Sequence, residues 1–141
     1  MVASTHDRQG QAGKGIGELQ SRIDELTAPM LKKTVYVILW TPVKKLADMM
    51  PYLEDHLRWP IELEKEGVVF ASGPFLGEGD EIPGTGMTML PADSCAKAEE
   101  IAKQDPFCRH GVRTYEVRPW QINDGAESIK VNFSNGGYAF D

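Results

Sequence analysis

The 141-residue chain has little cysteine, little histidine and no excess of positive charge. Two cysteines, Cys95 and Cys108, are too few for a disulfide framework or a four-cysteine zinc site. They fit a reducing, cytoplasmic setting. Fifteen Lys+Arg stand against twenty-one Asp+Glu, a net charge of -6. Binding along a nucleic-acid backbone needs a basic surface, so no nucleic acid is expected as a partner. No apolar run nears the roughly 20 residues that span a bilayer, and no apolar segment of a secretory signal opens the chain. Neither membrane association nor secretion is therefore expected. The three histidines, His6, His56 and His110, form no HxH, HxxxH or HExxH spacing, so no metal is expected. The stretch GEGDEIPGTG at 77–86 lacks the Gly-Lys-Ser/Thr end of a phosphate loop, and its acidic residues repel phosphates. No cofactor is implied.

What is present is ordinary globular material: 41% apolar, 26% charged and 9% aromatic residues. The length suits one compact domain. Its composition changes along the chain. Residues 1–17 are polar and Gly-rich, with little to bury against the entropy of ordering them. Residues 18–27 place Leu19, Ile23 and Leu26 at helical spacing, and Pro29 ends that pattern. A flexible arm with a short helix is thus expected over 1–29, and a folded domain over 30–122. An extension follows over 123–141, where SIKVNF and YAF flank Ser134-Asn135-Gly136-Gly137, a hairpin signal.

Within the domain, TVYVILWT at 34–41 is apolar on both faces: Val35, Val37 and Leu39 on one, Tyr36, Ile38 and Trp40 on the other. Such a strand is covered on both sides. Residues 43–66 are helical, with Pro51 in a first turn, Pro60 expected to kink the run and Gly67 closing it. Strands follow at 68–72, 87–90 and 112–118. A helix capped by Asp93 or Ser94 lies before the last of them and stops at Asp105-Pro106. The order is βαββαβ, an α+β antiparallel sheet with both helices on one face.

That topology lays the two helices side by side, so the middle of the first approaches the end of the second. A carboxylate at Asp105 then accepts the Nδ1–H of His56 and leaves Nε2 free as a general base near neutral pH. A helix-surface histidine and a turn-forming aspartate fit the same residues. Aromatic walls are available in Trp40, Trp59, Phe70, Phe75 and Phe107, each equally a core residue. Ser72 is a hydrogen-bond donor at a strand end, and Gly73 allows close backbone approach. Arg109 and Arg113 suit a carboxylate or phenolate, or a surface ion pair. Cys108 and His110 are too sparse a signal for a nucleophile pair.

The runs VYVILW, HLRWPIELEKEGVVFASGPF and AKQDPFCRHGVRTYEVRPW together resemble the YCII-related (YciI-like) family over residues 34–122. The resemblance implies a ferredoxin-like fold of the dimeric α+β barrel type, with two sheets face to face in a homodimer. It also implies a His–Asp pair, falling on His56 and Asp105. The family includes an enzyme that eliminates HCl from a chlorinated hydroxyhydroquinone. The expected function is a small cofactor-independent enzyme of lyase or isomerase type acting on a small cyclic or aromatic molecule. Ser72, Gly73, Trp40, Phe75, Phe107 and Arg113 would contact that molecule. The alternative is a non-catalytic ligand-binding or assembly module on the same fold. A wide separation of His56 and Asp105, or no cavity beside them, would favour the module.

Overall fold

The computed structural model describes residues 6–80, 82–126, 129–131, 133–135 and 138–140. In chain order they form α1 (His6–Thr27), β1 (Lys33–Pro42), α2 (Leu46–Met49), α3 (Leu53–Lys65), β2 (Ala71–Pro74) and β3 (Gly86–Leu90). Then come α4 (Cys95–Ala102), α5 (Pro106–Arg109), β4 (Arg113–Ile122), β5 (Ile129–Val131) and β6 (Tyr138–Phe140). Lys33–Ile122 makes one unit, and the segments on either side of it make another.

The Lys33–Ile122 unit is an antiparallel four-stranded sheet in the order β2-β3-β1-β4. With α3 and α4 as the crossovers, this is the expected ferredoxin-like α+β arrangement. β1 lies at the centre and pairs along its whole length with β4, from Lys33 opposite Ile122 to Pro42 opposite Arg113. The helices cover the face of Tyr36, Ile38 and Trp40. Ile38 and Leu90 are fully buried there with Leu63 of α3 and Ala98, Ile101 and Ala102 of α4. Burying a side chain of the Ile38 or Leu90 kind is worth about 1.5–3 kcal/mol. The small alanines let α4 approach closely. On the opposite face Val35 and Val37 are buried, Leu39, Met87 and Met89 are half-buried, and Trp120 is 46% exposed.

Local chemistry sets the helix ends. Ser94 caps α4: its hydroxyl accepts the Lys97 backbone N–H at 3.2 Å. α3 closes with Gly67 at φ +71°, where the Gly67 N–H donates to Glu64 O and the Val68 N–H to Leu63 O. That doubly bonded Gly ending also brings Val68 against the Leu63 cluster. Pro51 lies in a 3-10 turn, Met50–Tyr52, ahead of α3, and α3 continues through Pro60 to Lys65.

The second strand and the first helix differ from the sequence expectation. The second strand is Ala71–Pro74 rather than 68–72. Val68 and Val69 instead pack on the core ahead of it. Gly73 and Pro74, read as a break, belong to the strand because β2 is an edge, where proline is tolerated. Helix α1 begins at His6, so residues 6–17 are helical despite their glycines, and Ile16, Leu19, Ile23 and Leu26 stay exposed along it. β5 and β6 pair antiparallel with Ile129 opposite Phe140, as the hairpin signal predicts. Residues 128 and 132 of the expected strand, and Gly136-Gly137 of its turn, lie outside the described residues.

Gly86 holds the edge strand in place. A Cβ there would lie 2.6 Å from the Gly73 carbonyl oxygen and 3.1 Å from Pro74 Cα. Gly86→Ala is expected to push β2 away and to lower stability by about 1–3 kcal/mol, the cost of overpacking. Urea unfolding checks this; an unchanged midpoint would show that β2 yields freely.

Candidate functional site

The site is built where α3 passes α5. Asp105 precedes α5, and its side chain accepts the Phe107 backbone N–H at 3.1 Å, capping the helix that Pro106 starts. This fixes a fully buried carboxylate at the helix-covered side of the sheet. The same Oδ1 lies 2.8 Å from His56 Nδ1, on α3. Oδ2 takes Arg113 from the start of β4, at 3.1 Å. The Cys108 thiol lies 3.8 Å from Oδ2. A carboxylate only accepts, so Nδ1 of His56 carries a proton, and in the neutral ring Nε2 keeps its lone pair.

Aromatic rings hold these polar groups in place. The His56 ring stacks on Phe107, with centroids 4.0 Å apart and planes at 17°. The Arg113 guanidinium sits 4.1 Å from the centre of the Trp40 ring and 5.5 Å from that of Phe107, a cation–π arrangement in a dry setting. Trp59 and Tyr115 meet Trp40 edge-on at 6.3 and 6.1 Å. Burial pulls the Arg113 guanidinium down from its ordinary value, while the Asp105 charge pulls the other way. Two buried donors, Trp59 Nε1 and Arg113 Nε, have no hydrogen-bond partner among the described residues.

Beside this cluster opens a cavity of about 760 Å³. His56, Arg113, Ser72 and Thr88 are among its polar lining, with Glu64 and Thr85, while Trp40, Trp59, Phe107 and Val69 supply apolar wall. Leu46, Met50, Leu57, Ile61 and Ile82 stand exposed around it. A few polar groups converging in an apolar cleft is the usual form of a small-molecule site. Among the described residues, no three His, Cys, Asp or Glu side chains group as metal ligands.

Of the residues singled out from sequence, His56, Trp40, Ser72, Gly73, Phe107 and Arg113 all line this cavity, with Asp105 directly behind His56. Phe75 does not line it. It falls just past the end of β2 and its side chain is 46% exposed. Arg113 reaches the cavity, but one of its terminal nitrogens is committed to Asp105 rather than free for a ligand. Arg109 is exposed at the end of α5, and His110 stacks on Tyr52 at 3.9 Å. The sequence reading missed Thr88. Its signal is a lone hydroxyl on the apolar strand MTML, where a buried polar group must have a partner.

Cys108 is no nucleophile here. Burial first, and the Asp105 charge second, push its thiol from 9.0 up to about 12. The folded protein holds that proton more tightly than the unfolded chain does. The associated stability is therefore complete below pH 9 and is lost as pH rises towards 12. Cys108 is expected to resist alkylation at pH 9 in the folded protein and to react once urea unfolds it; mass mapping of the alkylated peptides checks this. Asp105→Ala leaves the buried Arg113 charge unpaired and is expected to cost about 3–5 kcal/mol. Denaturant unfolding measures that loss, and a cost under 1 kcal/mol would mean that Arg113 finds another partner.

No curated protein matches the chain. Among solved structures, it is similar to the 5-chloro-2-hydroxyhydroquinone dehydrochlorinase TftG from Burkholderia phenoliruptrix AC1100, in complex with 2,5-dihydroxybenzoquinone. The match has a TM-score of 0.51 and 22% identity, and covers 61% of this chain and 92% of that one. At that identity the likeness speaks to the shared fold. The model of the YCII-related domain matches residues 34–121, from the second residue of β1 to the last but one of β4, and takes in both His56 and Asp105. The chain therefore belongs to the YCII-related domain family.

Proposed function

We propose that the protein is a small cofactor-independent enzyme of lyase or isomerase type, with His56 as its general acid and base. The observation that carries this reading is the 2.8 Å contact of His56 Nδ1 with the buried Asp105 carboxylate, at the wall of a cavity. Asp105 holds the ring in one tautomer and balances the charge when Nε2 takes a proton. Phe107, stacked on the ring, fixes its plane. The substrate is a small cyclic or aromatic molecule bearing an acidic C–H or O–H. Nε2 removes that proton, and the electron pair moves into the ring system. A leaving group then departs in a lyase, or the proton returns at a second atom in an isomerase. Negative charge gathers on a substrate oxygen, where the Ser72 hydroxyl can donate to it. The dehydrochlorination named for the structural neighbour, and the quinone bound there, supply the substrate class to try first.

His56→Ala is expected to lower turnover by about 10²–10⁴-fold against a panel of chlorinated hydroxyquinols and lactones, the usual worth of a general base. Turnover at the wild-type rate in His56→Ala would remove His56 from the reaction. Binding without turnover by the wild type would make the protein a ligand-binding module instead.

The protein is also proposed to act as a cytoplasmic homodimer. No helix among the described residues is long and apolar enough to cross a membrane. Support for the dimer comes from the sheet face opposite the helices, where Leu39, Met87 and Met89 are half-buried and Trp120 is 46% exposed. Sedimentation at micromolar concentration is expected to give twice the chain mass, and Leu39→Asp to give the monomer. A wild-type monomer under those conditions would contradict the dimer.

A further inference from the structure

The cavity's second polar cluster is a chain of three side chains running across the sheet. The Trp40 Nε1–H donates to Thr88 Oγ1 at 2.9 Å. Thr88 Oγ1 lies 2.7 Å from Ser72 Oγ. The strand register produces this chain. Thr88 pairs with Ile38 on β1 and with Ser72 on β2, so it is the diagonal neighbour of Trp40 and the direct neighbour of Ser72. All three side chains stand on the face that carries His56 and Arg113, and all three line the cavity.

The proton directions follow from counting donors. Thr88 is 2% exposed, and these are its two hydrogen bonds. An indole N–H donates and cannot accept. Thr88 therefore receives one proton from Trp40 and has one of its own to place. Leaving a buried donor unpaired costs its full desolvation, so that proton goes to Ser72 Oγ, the acceptor that the Thr88 hydroxyl meets among the described residues. Ser72 then accepts from Thr88, which leaves its own proton for the open side. Its residue is exposed and borders the cavity. Each bond in the chain polarises the next, which strengthens the last donor.

We infer that Thr88, anchored by Trp40, is a positioning residue that turns the Ser72 hydroxyl proton toward the cavity, where it donates to an unprotonated ligand oxygen. The oxygen is a quinone carbonyl, a phenolate or a carboxylate. The hydroxyl chain thus presents an oriented donor to a ligand oxygen at this point. This rests on the cavity being the ligand site of the proposed enzyme. The two claims fail separately: an unchanged turnover in His56→Ala removes the reaction, while the Thr88 claim is decided by binding.

The test is a titration of the full chain with 2,5-dihydroxybenzoquinone, followed by tryptophan fluorescence. Ser72→Ala and Thr88→Val are each expected to weaken binding about tenfold, the loss of one hydrogen bond to a charged or strongly polar oxygen. The double variant is expected to bind no more weakly than either single one, because Thr88 acts through Ser72. Thr88→Ser keeps the hydroxyl and is expected to bind as the wild type does, which a merely space-filling role for Thr88 would not require. Losses that add, a Thr88→Val protein that binds like the wild type, or a wild type that does not bind would each overturn the inference. Should Thr88→Val fail to fold, a crystal structure of the wild type with the quinone decides. Ser72 Oγ within about 2.5–3.0 Å of a quinone oxygen supports the assignment, and Ser72 facing carbon or solvent overturns it.

Discussion

A single buried carboxylate organises this protein's functional end. Asp105 is fully buried, and taking a charge out of water is tolerable only if strong donors surround it. Those donors come from three places in the chain: His56 on α3, the Phe107 backbone at the start of α5, and Arg113 at the start of β4. Each is thereby held in position by the need to satisfy the same group. The carboxylate orients the His56 ring, starts the helix that carries Phe107 under that ring, and holds Arg113 over Trp40. The Asp-Pro-Phe tripeptide is thus three physical jobs in sequence: acceptor and cap, helix start, and stacking platform.

The sheet supplies the rest of the cavity by register. β1 is central and apolar on both faces, so its Trp40 can floor the site while Val35 and Val37 look the other way. β3 sets Thr88 beside Trp40, and β2 sets Ser72 beside Thr88, as long as Gly86 lets the edge strand approach. The result is two polar clusters on one sheet face, one around a carboxylate and one along a hydroxyl chain. Their chemistry differs in kind. The first is proposed to take and return a proton, and the second to aim a hydrogen-bond donor at a ligand oxygen.

Much of this was legible in the residues. The two-sided apolar run at 34–41, the helical spacing at 46–61 and the Ser94 cap are local signals, and local physics decides them. The βαββαβ order lays the middle of the first helix near the end of the second, which makes contact between His56 and Asp105 an expectation of the sequence. What was not legible depended on pairing between distant strands. Nothing near Thr88 in the chain says that Trp40 and Ser72 lie beside it. Gly73-Pro74 reads as a break because its edge position, which makes proline tolerable, is a property of the sheet. Phe75 is one of the aromatics near a strand end, and strand ends do not reveal which way the next side chain turns. Arg113 suits a ligand or an ion pair from the sequence, and the partner that decides it, Asp105, lies ahead of α5.

Asp105, accepting at Nδ1, is expected to fix the neutral His56 ring as the Nδ1–H tautomer. The most direct measurement is the pair of ¹⁵N ring resonances of His56 in the neutral ring, compared between the wild type and Asp105→Ala. The account predicts a protonated Nδ1 and a bare Nε2 in the wild type, with that preference lost in the variant. A wild-type ring protonated at Nε2, or one unaffected by removing the carboxylate, would contradict it.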